Sequence, residues 1–370
     1  MKKVLFFIHN MADGGAQKVL VNLVNNMDRS KFDISVTALF GGGVNEQFLA
    51  PDIHFRTVFP RAVPGNSKLM KLLTPAQLHR LCVKEHYDIE ISYLEGSAAR
   101  VISGCEDQST RLVCWIHSTM ESIHDAAKPF RSIQEVQLCY KKFHRIICVS
   151  EDVKQVFAKL FPNTIIPLVL YNTLETSKIA QEAGESLLEK LIQPTEINLI
   201  SVGSMKRVKG FDRLLRIHAR LQREGYPVHT YLLGKGPDLE ILKRQVDGCR
   251  CGRTVTFLGY DINPYKYVSK ADVFICSSHS EGFSTAATEA LIVGTPVCTV
   301  EVSGMKEMLG EHNEWGIVTE NSEEALYQGI KDLLDHPDKL AHCKEKAIER
   351  GKTFSTENTV HAVERMLLEL

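Results

Sequence analysis

The chain has almost no net charge, no apolar run approaching a membrane span, no Asp-x-Asp pair and no partner motif for its one Cys-x-Cys. Each absence excludes something. Its 44 basic and 45 acidic residues leave a formal charge of −1, so no global field draws the chain to nucleic acid. A membrane-crossing helix needs about 20 consecutive apolar residues, and none occur. Met1-Lys2-Lys3 followed by Val4–Ile8 is too short for the apolar core of a signal peptide, and no small-residue cleavage site follows. A cytoplasmic location without an integral membrane segment is expected. The ten cysteines are scattered, mostly in apolar runs such as Ile146–Val149 and Val273–Cys276, a pattern of buried thiols in a reducing compartment. Cys249 and Cys251 are the one close pair, which alone is weak evidence for a metal.

What is present is a rhythm. Short β-branched runs alternate with longer amphipathic stretches. Val4–Ile8, Ile34–Leu39, Ile89–Tyr93, Leu112–Ile116 and Ile146–Val149 read as strands in the first half. Ile197–Val202, Val228–Leu233, Val255–Leu258, Val273–Cys276 and Val297–Val300 do so in the second. Helical patterns such as Ala16–Met27, Phe211–Glu224 and Ser322–Leu334 lie between them. Alternation of this kind predicts an α/β fold with buried parallel sheets. The rhythm breaks between Asn172 and Pro194, a polar segment read as a linker with a helix over Gln181–Leu191. The expected organisation is a Rossmann-like domain over 1–172, a linker over 173–194 and a second Rossmann-like domain over 195–353. The two sheets are expected to face each other across a cleft. A last helix over 354–370 has two possible partners, and crossing back to the first domain is one of them.

The most informative segment is Ser280-Glu281-Gly282-Phe283-Ser284-Thr285-Ala286-Ala287-Thr288-Glu289, closed by Gly294-Thr295-Pro296. Glu281 stands just before a helix and Glu289 inside it. A helix N-terminus offers backbone N–H groups and a positive dipole end, which suit a phosphate. Carboxylates on either side suit the hydroxyls of two sugar rings. The ligand that matches is a nucleotide sugar.

Other segments are weaker alone. Gly14-Gly15 opens the first helix and lets backbone approach a ligand, or simply makes a tight turn. In Gly203-Ser204-Met205-Lys206-Arg207-Val208-Lys209-Gly210, Lys209 precedes a helix and is placed to meet a diphosphate, with Arg207 or Lys206 assisting. The alternative is a solvated basic turn. Gly234-Lys235-Gly236-Pro237 is an incomplete dinucleotide fingerprint and reads better as a wall of the cleft. His117 closes the strand Leu112–Ile116 and faces the expected cleft, or serves as a structural histidine. With no Asp-x-Asp to hold Mg²⁺, Lys209 and helix amides are left to neutralise a leaving diphosphate, so metal-independent chemistry is expected. Between Ile53 and Lys84 stand Arg56, Arg61, Lys68, Lys71, Arg80 and Lys84 with no acid, interleaved with Leu69, Met70, Leu72 and Leu73. Such a segment suits an anionic membrane surface.

These segments, in this order, resemble the retaining glycosyltransferases of family 4, which have the GT-B fold. The resemblance spans nearly the whole chain and is densest from Ile197 to Pro296. It implies that Glu289 binds the nucleotide ribose, that Glu281 holds donor hexose hydroxyls, and that amides of Phe283, Ser284 and Thr285 lie near the diphosphate, with Gly282 beside them in the donor site. It further implies that Lys209 is the phosphate-binding lysine, Gly15 an amide donor and His117 a histidine facing the transferred sugar. One departure stands out: Ser204 occupies the place of the usual diphosphate-binding arginine, and Arg207 is the nearest substitute. The activity implied is hexose transfer from a nucleotide sugar, UDP favoured and GDP next, to a glycan or lipid-linked acceptor in surface polysaccharide synthesis, without a cofactor. A nucleotide-sugar epimerase of the same fold is the alternative. A nicotinamide dehydrogenase leaves the Glu pair unexplained, and a decayed binding subunit leaves intact Glu281, Glu289 and Lys209 unexplained.

Overall fold

The computed structural model describes residues 1–12, 14–62, 65, 70–186 and 195–370. They form two compact units, Met1–Leu174 with Thr356–Leu370, and Glu175–Ser355.

The first unit is built on seven parallel strands: β1 (Lys2–Asn10), β2 (Phe32–Phe40), β3 (His54–Phe59), β4 (Ile89–Ser92), β5 (Arg111–Ile116), β6 (Arg145–Cys148) and β7 (Leu168–Val169). Their order is β3-β2-β1-β4-β5-β6-β7. β1 sits centrally, with Val4 opposite Ile34 on one side and Ile89 on the other. Val4 to Ile8 are all buried, as a strand covered on both faces must be. The helix Gly15–Asn26 turns Val19, Leu20, Leu23 and Val24 inward at helical spacing. The C-terminal helix Thr356–Leu368 packs on it. Thr356 Oγ1 donates to the Leu174 carbonyl at 2.7 Å, and the Asp28 N–H donates to buried Glu364 at 2.6 Å.

In the second unit the strands are β8 (Ile197–Val202), β9 (Val228–Leu233), β10 (Val255–Gly259), β11 (Val273–Cys276), β12 (Val297–Val300) and β13 (Ile317–Thr319). The order β10-β9-β8-β11-β12-β13 is that of a dinucleotide-binding sheet. Its direction of winding reverses between β8 and β11. Ligands of such sheets bind beyond the carboxyl ends of the strands at that switch. The loops that leave β8 and β11 carry Lys209 and Glu281 respectively, so the topology brings the two segments together.

Three short or edge strands escape the sequence pattern. β3 carries Arg56, while β7 and β13 have two and three residues. Of the helix expected over Gln181–Leu191, the first three residues belong to a helix that starts earlier, Thr176–Ala183, which stops at Gly184 and packs on Tyr265–Val268 and Thr285–Ile292 in the same unit. Residues 187–194 lie outside the described residues. Cys249 and Cys251 are not free thiols but a disulfide. Arg250 between them adopts a left-handed φ of 59° that folds the chain back. The other eight cysteines are free and buried.

The basic segment is less uniform than its sequence suggests. Arg56 turns inward, donating to Thr37 Oγ1 and to the Cys82 carbonyl, and Arg80 pairs with Glu106 at 2.6 Å. Lys68 and Leu69 lie outside the described residues. Leu72 is 74% exposed. It stands on a turn whose carbonyls are clamped by two guanidiniums, Arg100 on Met70 and Leu73, and Arg131 on Lys71 and Leu72. No helix among the described residues is long and apolar enough to cross a membrane.

Candidate active site

In the second unit, two loops meet at the switch point. After β8 the chain runs through Gly203 to a short 3₁₀ turn, Arg207–Lys209, and enters the helix Phe211–Arg223. Gly210 between them has φ 62°, and a Cβ there would lie 2.0 Å from the Ser277 carbonyl oxygen. Glycine is required for both reasons. The loop after β11 is tied to this turn. Ser277 Oγ donates to the Lys209 carbonyl at 3.0 Å, and the His279 N–H to the Val208 carbonyl at 2.7 Å.

This docking aims Lys209 at Glu281. Lys209 Nζ lies 2.6 Å from Glu281 Oε1, which also accepts from Ser278 Oγ at 2.5 Å. Lys209 is 28% exposed and Glu281 11%. Burial disfavours the charged ammonium, but the charge and hydrogen bond of Glu281 outweigh it and hold the Lys209 pKa above its usual value. Lys209 is therefore a permanent cation.

Arg213 fixes the second loop. It is buried on the first turn of Phe211–Arg223, and its guanidinium donates to the carbonyls of Ser277 and Ser278, both at 2.6 Å, and to Asn321 Oδ1 at 2.9 Å. Sequence reading missed it, because an arginine in an amphipathic helix looks like part of a solvated face. The only available signal was its spacing, three residues after Gly210.

Beyond Glu281, Ser284 caps the helix Thr285–Ile292, its Oγ accepting from the Ala287 N–H at 3.3 Å. The amides of Thr285 and Ala286, at the first two helical positions, have no intrahelical acceptor. Gly304, at φ 78°, backs this turn, since a Cβ there would lie 2.7 Å from the Phe283 ring. Glu289 sits one turn into the helix, buried, and accepts from the Tyr265 hydroxyl at 3.1 Å. A helix N-terminus and two carboxylates thus stand in one short stretch, and the Lys209 ammonium is paired with the first of those carboxylates.

The remaining residues are placed differently. Arg207 is exposed and Ser204 half-buried at the mouth of the β8 loop. Gly234, at φ 144°, would drive a Cβ to within 1.9 Å of the Gly203 carbonyl oxygen, and Gly236 to within 2.4 Å of that of Met205. Close packing of one loop on another explains why both are glycine. In the first unit, Gly14 precedes the first helix in an extended conformation, φ −104°, and Gly15 is the first helical residue.

His117, just past β5, belongs to the first unit. Its backbone N–H donates to Glu95 Oε2 at 2.9 Å, and Ser118 Oγ donates to the same carboxylate. Burial raises the Glu95 pKa. Burial also pushes the His117 imidazole down to about 3, so it is neutral at neutral pH. Its Nε2 is buried without a hydrogen-bond partner, as are the Tyr93 hydroxyl and the Trp115 indole N–H beside it. The Tyr93 ring is 4.9 Å from the imidazole and 5.0 Å from the Trp115 ring. Glu95, Tyr93 and Trp115 were not legible in sequence, where the aromatics read as strand core.

Two family models match the chain. Residues 186–350 match Glycosyl transferases group 1, and residues 13–174 match Glycosyltransferase Family 4. The chain belongs to the group 1 glycosyltransferases. It is 28% identical over 369 residues to a Campylobacter jejuni N-acetylgalactosamine-N,N'-diacetylbacillosaminyl-diphospho-undecaprenol 4-alpha-N-acetylgalactosaminyltransferase, covering 96% of each chain. Over 74% of its length it is 24% identical to Bacillus subtilis TuaC, described as a teichuronic acid biosynthesis glycosyltransferase, of which it covers 69%. Among solved structures, Anabaena HepE crystallised with UDP-glucose superposes with a TM-score of 0.81 at 18% identity, covering 100% of both chains. A Staphylococcus aureus TarM variant in complex with UDP gives 0.75 at 14%, covering 98% of both. The group 1 glycosyltransferase fold seen here is GT-B.

Proposed function

We propose that this glycosyltransferase is a retaining, metal-independent hexosyltransferase, with UDP-sugar the favoured donor and a GDP-sugar next. Its product belongs to surface polysaccharide synthesis, and its acceptor is a glycan or a lipid-linked sugar. The observation that carries the donor reading is the Lys209–Glu281 pair at the N-terminus of Thr285–Ile292, with Glu289 one turn further on. In this reading the diphosphate meets the Lys209 ammonium and the amides of Phe283 to Thr285, with Arg207 taking the place left by Ser204. Glu281 holds hexose hydroxyls and Glu289 the ribose. The neutral imidazole of His117 hydrogen-bonds a sugar hydroxyl and supplies no charge.

The reaction is written as front-face displacement. The bond from the anomeric carbon to the diphosphate oxygen breaks as the acceptor oxygen bonds to that carbon. The acceptor proton leaves with the diphosphate. The chain's own contribution is alignment and stabilisation of leaving-group charge. The glycosyltransferase relatives favour transfer over epimerisation. The Campylobacter relative's name supports a lipid-linked acceptor, and the exposed Leu72 on its clamped basic turn supports contact with an anionic membrane.

Calorimetric titration with UDP, GDP and UMP tests the donor. Tight UDP binding that weakens for UMP supports the diphosphate site, and equal affinity for UDP and UMP contradicts it. NMR of the product settles the rest: an inverted anomeric carbon contradicts retention, and a changed sugar still attached to the nucleotide means epimerisation. Full activity in excess chelator is expected, and loss restored only by added metal ends the metal-independent reading.

A further inference from the structure

The first unit contains a cluster that sugar transfer does not use. His79, Glu90 and Cys105 bring an imidazole nitrogen, a carboxylate oxygen and a thiol sulfur within 4.8 Å of one another, the one such His/Cys/carboxylate group of three among the described residues. His79 Nε2 is 2.7 Å from Glu90 Oε2, and Cys105 Sγ is 4.0 Å from Glu90 Oε1. Glu90 and Cys105 are buried and His79 nearly so. A carboxylate so placed needs strong compensation for lost water, and a thiol is a weak donor.

We propose that His79, Glu90 and Cys105 form a structural zinc site that ties the helix Pro75–Cys82 to the sheet. The donor set selects the metal. Nitrogen, oxygen and sulfur together suit borderline-soft Zn²⁺. Mg²⁺ and Ca²⁺ require oxygen ligands, of which the cluster offers one residue's worth. Bonds of about 2.0–2.3 Å at tetrahedral angles put ligand atoms about 3.3–3.7 Å apart. The His79 contact with Glu90 Oε2 must open by about 0.6–1 Å, and Cys105, which faces the other oxygen, Oε1, at 4.0 Å, must turn toward the same oxygen. Rotation of the side chains accomplishes both.

The three ligands come from three elements that are already locked together. His79 is on Pro75–Cys82, Glu90 on β4, and Cys105 on the turn after the helix Ser97–Ile102. Gly104 of that turn lies so close to Pro75 that a Cβ would fall 2.0 Å from its carbonyl oxygen. The backbone therefore fixes His79 and Cys105 against each other before any metal arrives. Binding is balanced by loss of two protons, one from the Cys105 thiol and the one shared by His79 and Glu90. A water, or the Asp107 carbonyl that lies 3.9 Å from Cys105 Sγ, completes the tetrahedron.

The site is not catalytic. Glu90 pairs across the sheet with Leu112, five residues before His117, or about 16 Å along a strand. It lies toward the opposite end of the sheet from the carboxyl-end loops. A metal here is compatible with a transfer step that needs none.

The test uses the full chain with Cys249→Ser and Cys251→Ser, which removes the other close cysteine pair. After stripping, Co²⁺ is added and the near-ultraviolet thiolate-to-cobalt band is followed, then competed with Zn²⁺. Zinc content is measured by mass spectrometry on protein grown with zinc. The expected result is about one zinc per chain, a cobalt band that zinc abolishes, and loss of both in His79→Gln and Cys105→Ser. Alkylation of Cys105, mapped by peptide mass, is expected to slow at least tenfold with zinc in the otherwise unaltered protein, which decides the matter if the variants do not fold. Absence of the band together with sub-stoichiometric zinc overturns the proposal. So does zinc content that is unchanged in Cys105→Ser.

Discussion

Removing the Lys209 ammonium is the most informative single change. In the absence of donor it neutralises Glu281 across 2.6 Å. Two unit charges about 4 Å apart near a protein surface interact by about 4 kcal/mol. Lys209→Ala therefore acts twice: it deletes a cation from the diphosphate site and leaves the Glu281 carboxylate, now held only by Ser278, to repel the incoming phosphates. Loss of one preorganised charge-stabilising donor costs on the order of 10²–10³ in turnover, or about 2.7–4 kcal/mol. Lys209→Ala is expected to lose at least that in kcat and to weaken UDP binding as well. Adding Glu281→Gln removes the repulsion, so the double variant is expected to bind UDP more tightly than Lys209→Ala alone, while its turnover stays low. Calorimetry gives the UDP affinities, and a coupled assay of UDP release gives turnover. Turnover of Lys209→Ala within twofold of the unaltered enzyme refutes the role. So does a double variant whose UDP affinity is no better than that of the single one.

Three further expectations follow from the same geometry. Arg213→Ala deprives the Ser277 and Ser278 carbonyls of their donor and is expected to cost about 3 kcal/mol of stability in a denaturant titration, with donor KM rising more than kcat falls. Gly210→Ala combines a left-handed φ with a clash on Ser277, and is expected to lower folding stability and UDP affinity together, each by about 1 kcal/mol or more, read from a denaturant titration and calorimetry. His218, buried between Thr230 and Thr254, is pushed down to about 4 by burial. Between the unfolded pKa near 6.5 and about 4, the unfolded chain binds the extra proton, so stability falls as pH drops through that window and is fully present above it. The loss is roughly 3 kcal/mol. Chemical melts from pH 7 to 4 on the unaltered chain and on His218→Gln measure it, and an equal slope in both removes His218 as the cause.

Most of the fold was legible because parallel strands buried on both faces read as unbroken apolar runs, as Val4–Ile8 and Ile146–Cys148 do. What escaped lay at edges, where β3 tolerates Arg56 and β13 needs only three residues. The helix expected to start at Gln181 starts earlier, an onset hidden because Thr176–Ala180 carries little apolar pattern, and the described helix ends at Gly184. At the site, glycine punctuation exposed the segments of Lys209 and Glu281, yet their contact joins residues 72 positions apart and depends on strand order, which no local pattern encodes. Arg213 was hidden because a buried guanidinium and a solvated one occupy identical helical spacing. Tyr93 and Trp115 were hidden because an aromatic with an unsatisfied polar atom has the same sequence signature as one packed purely for its ring.

A crystal structure with UDP bound tests the donor site most directly. The expected density places the β-phosphate within about 3 Å of Lys209 Nζ and of the amides between Phe283 and Thr285, with the ribose against Glu289. A diphosphate elsewhere, or a bound nucleotide from which Lys209 and Glu281 both point away, contradicts it.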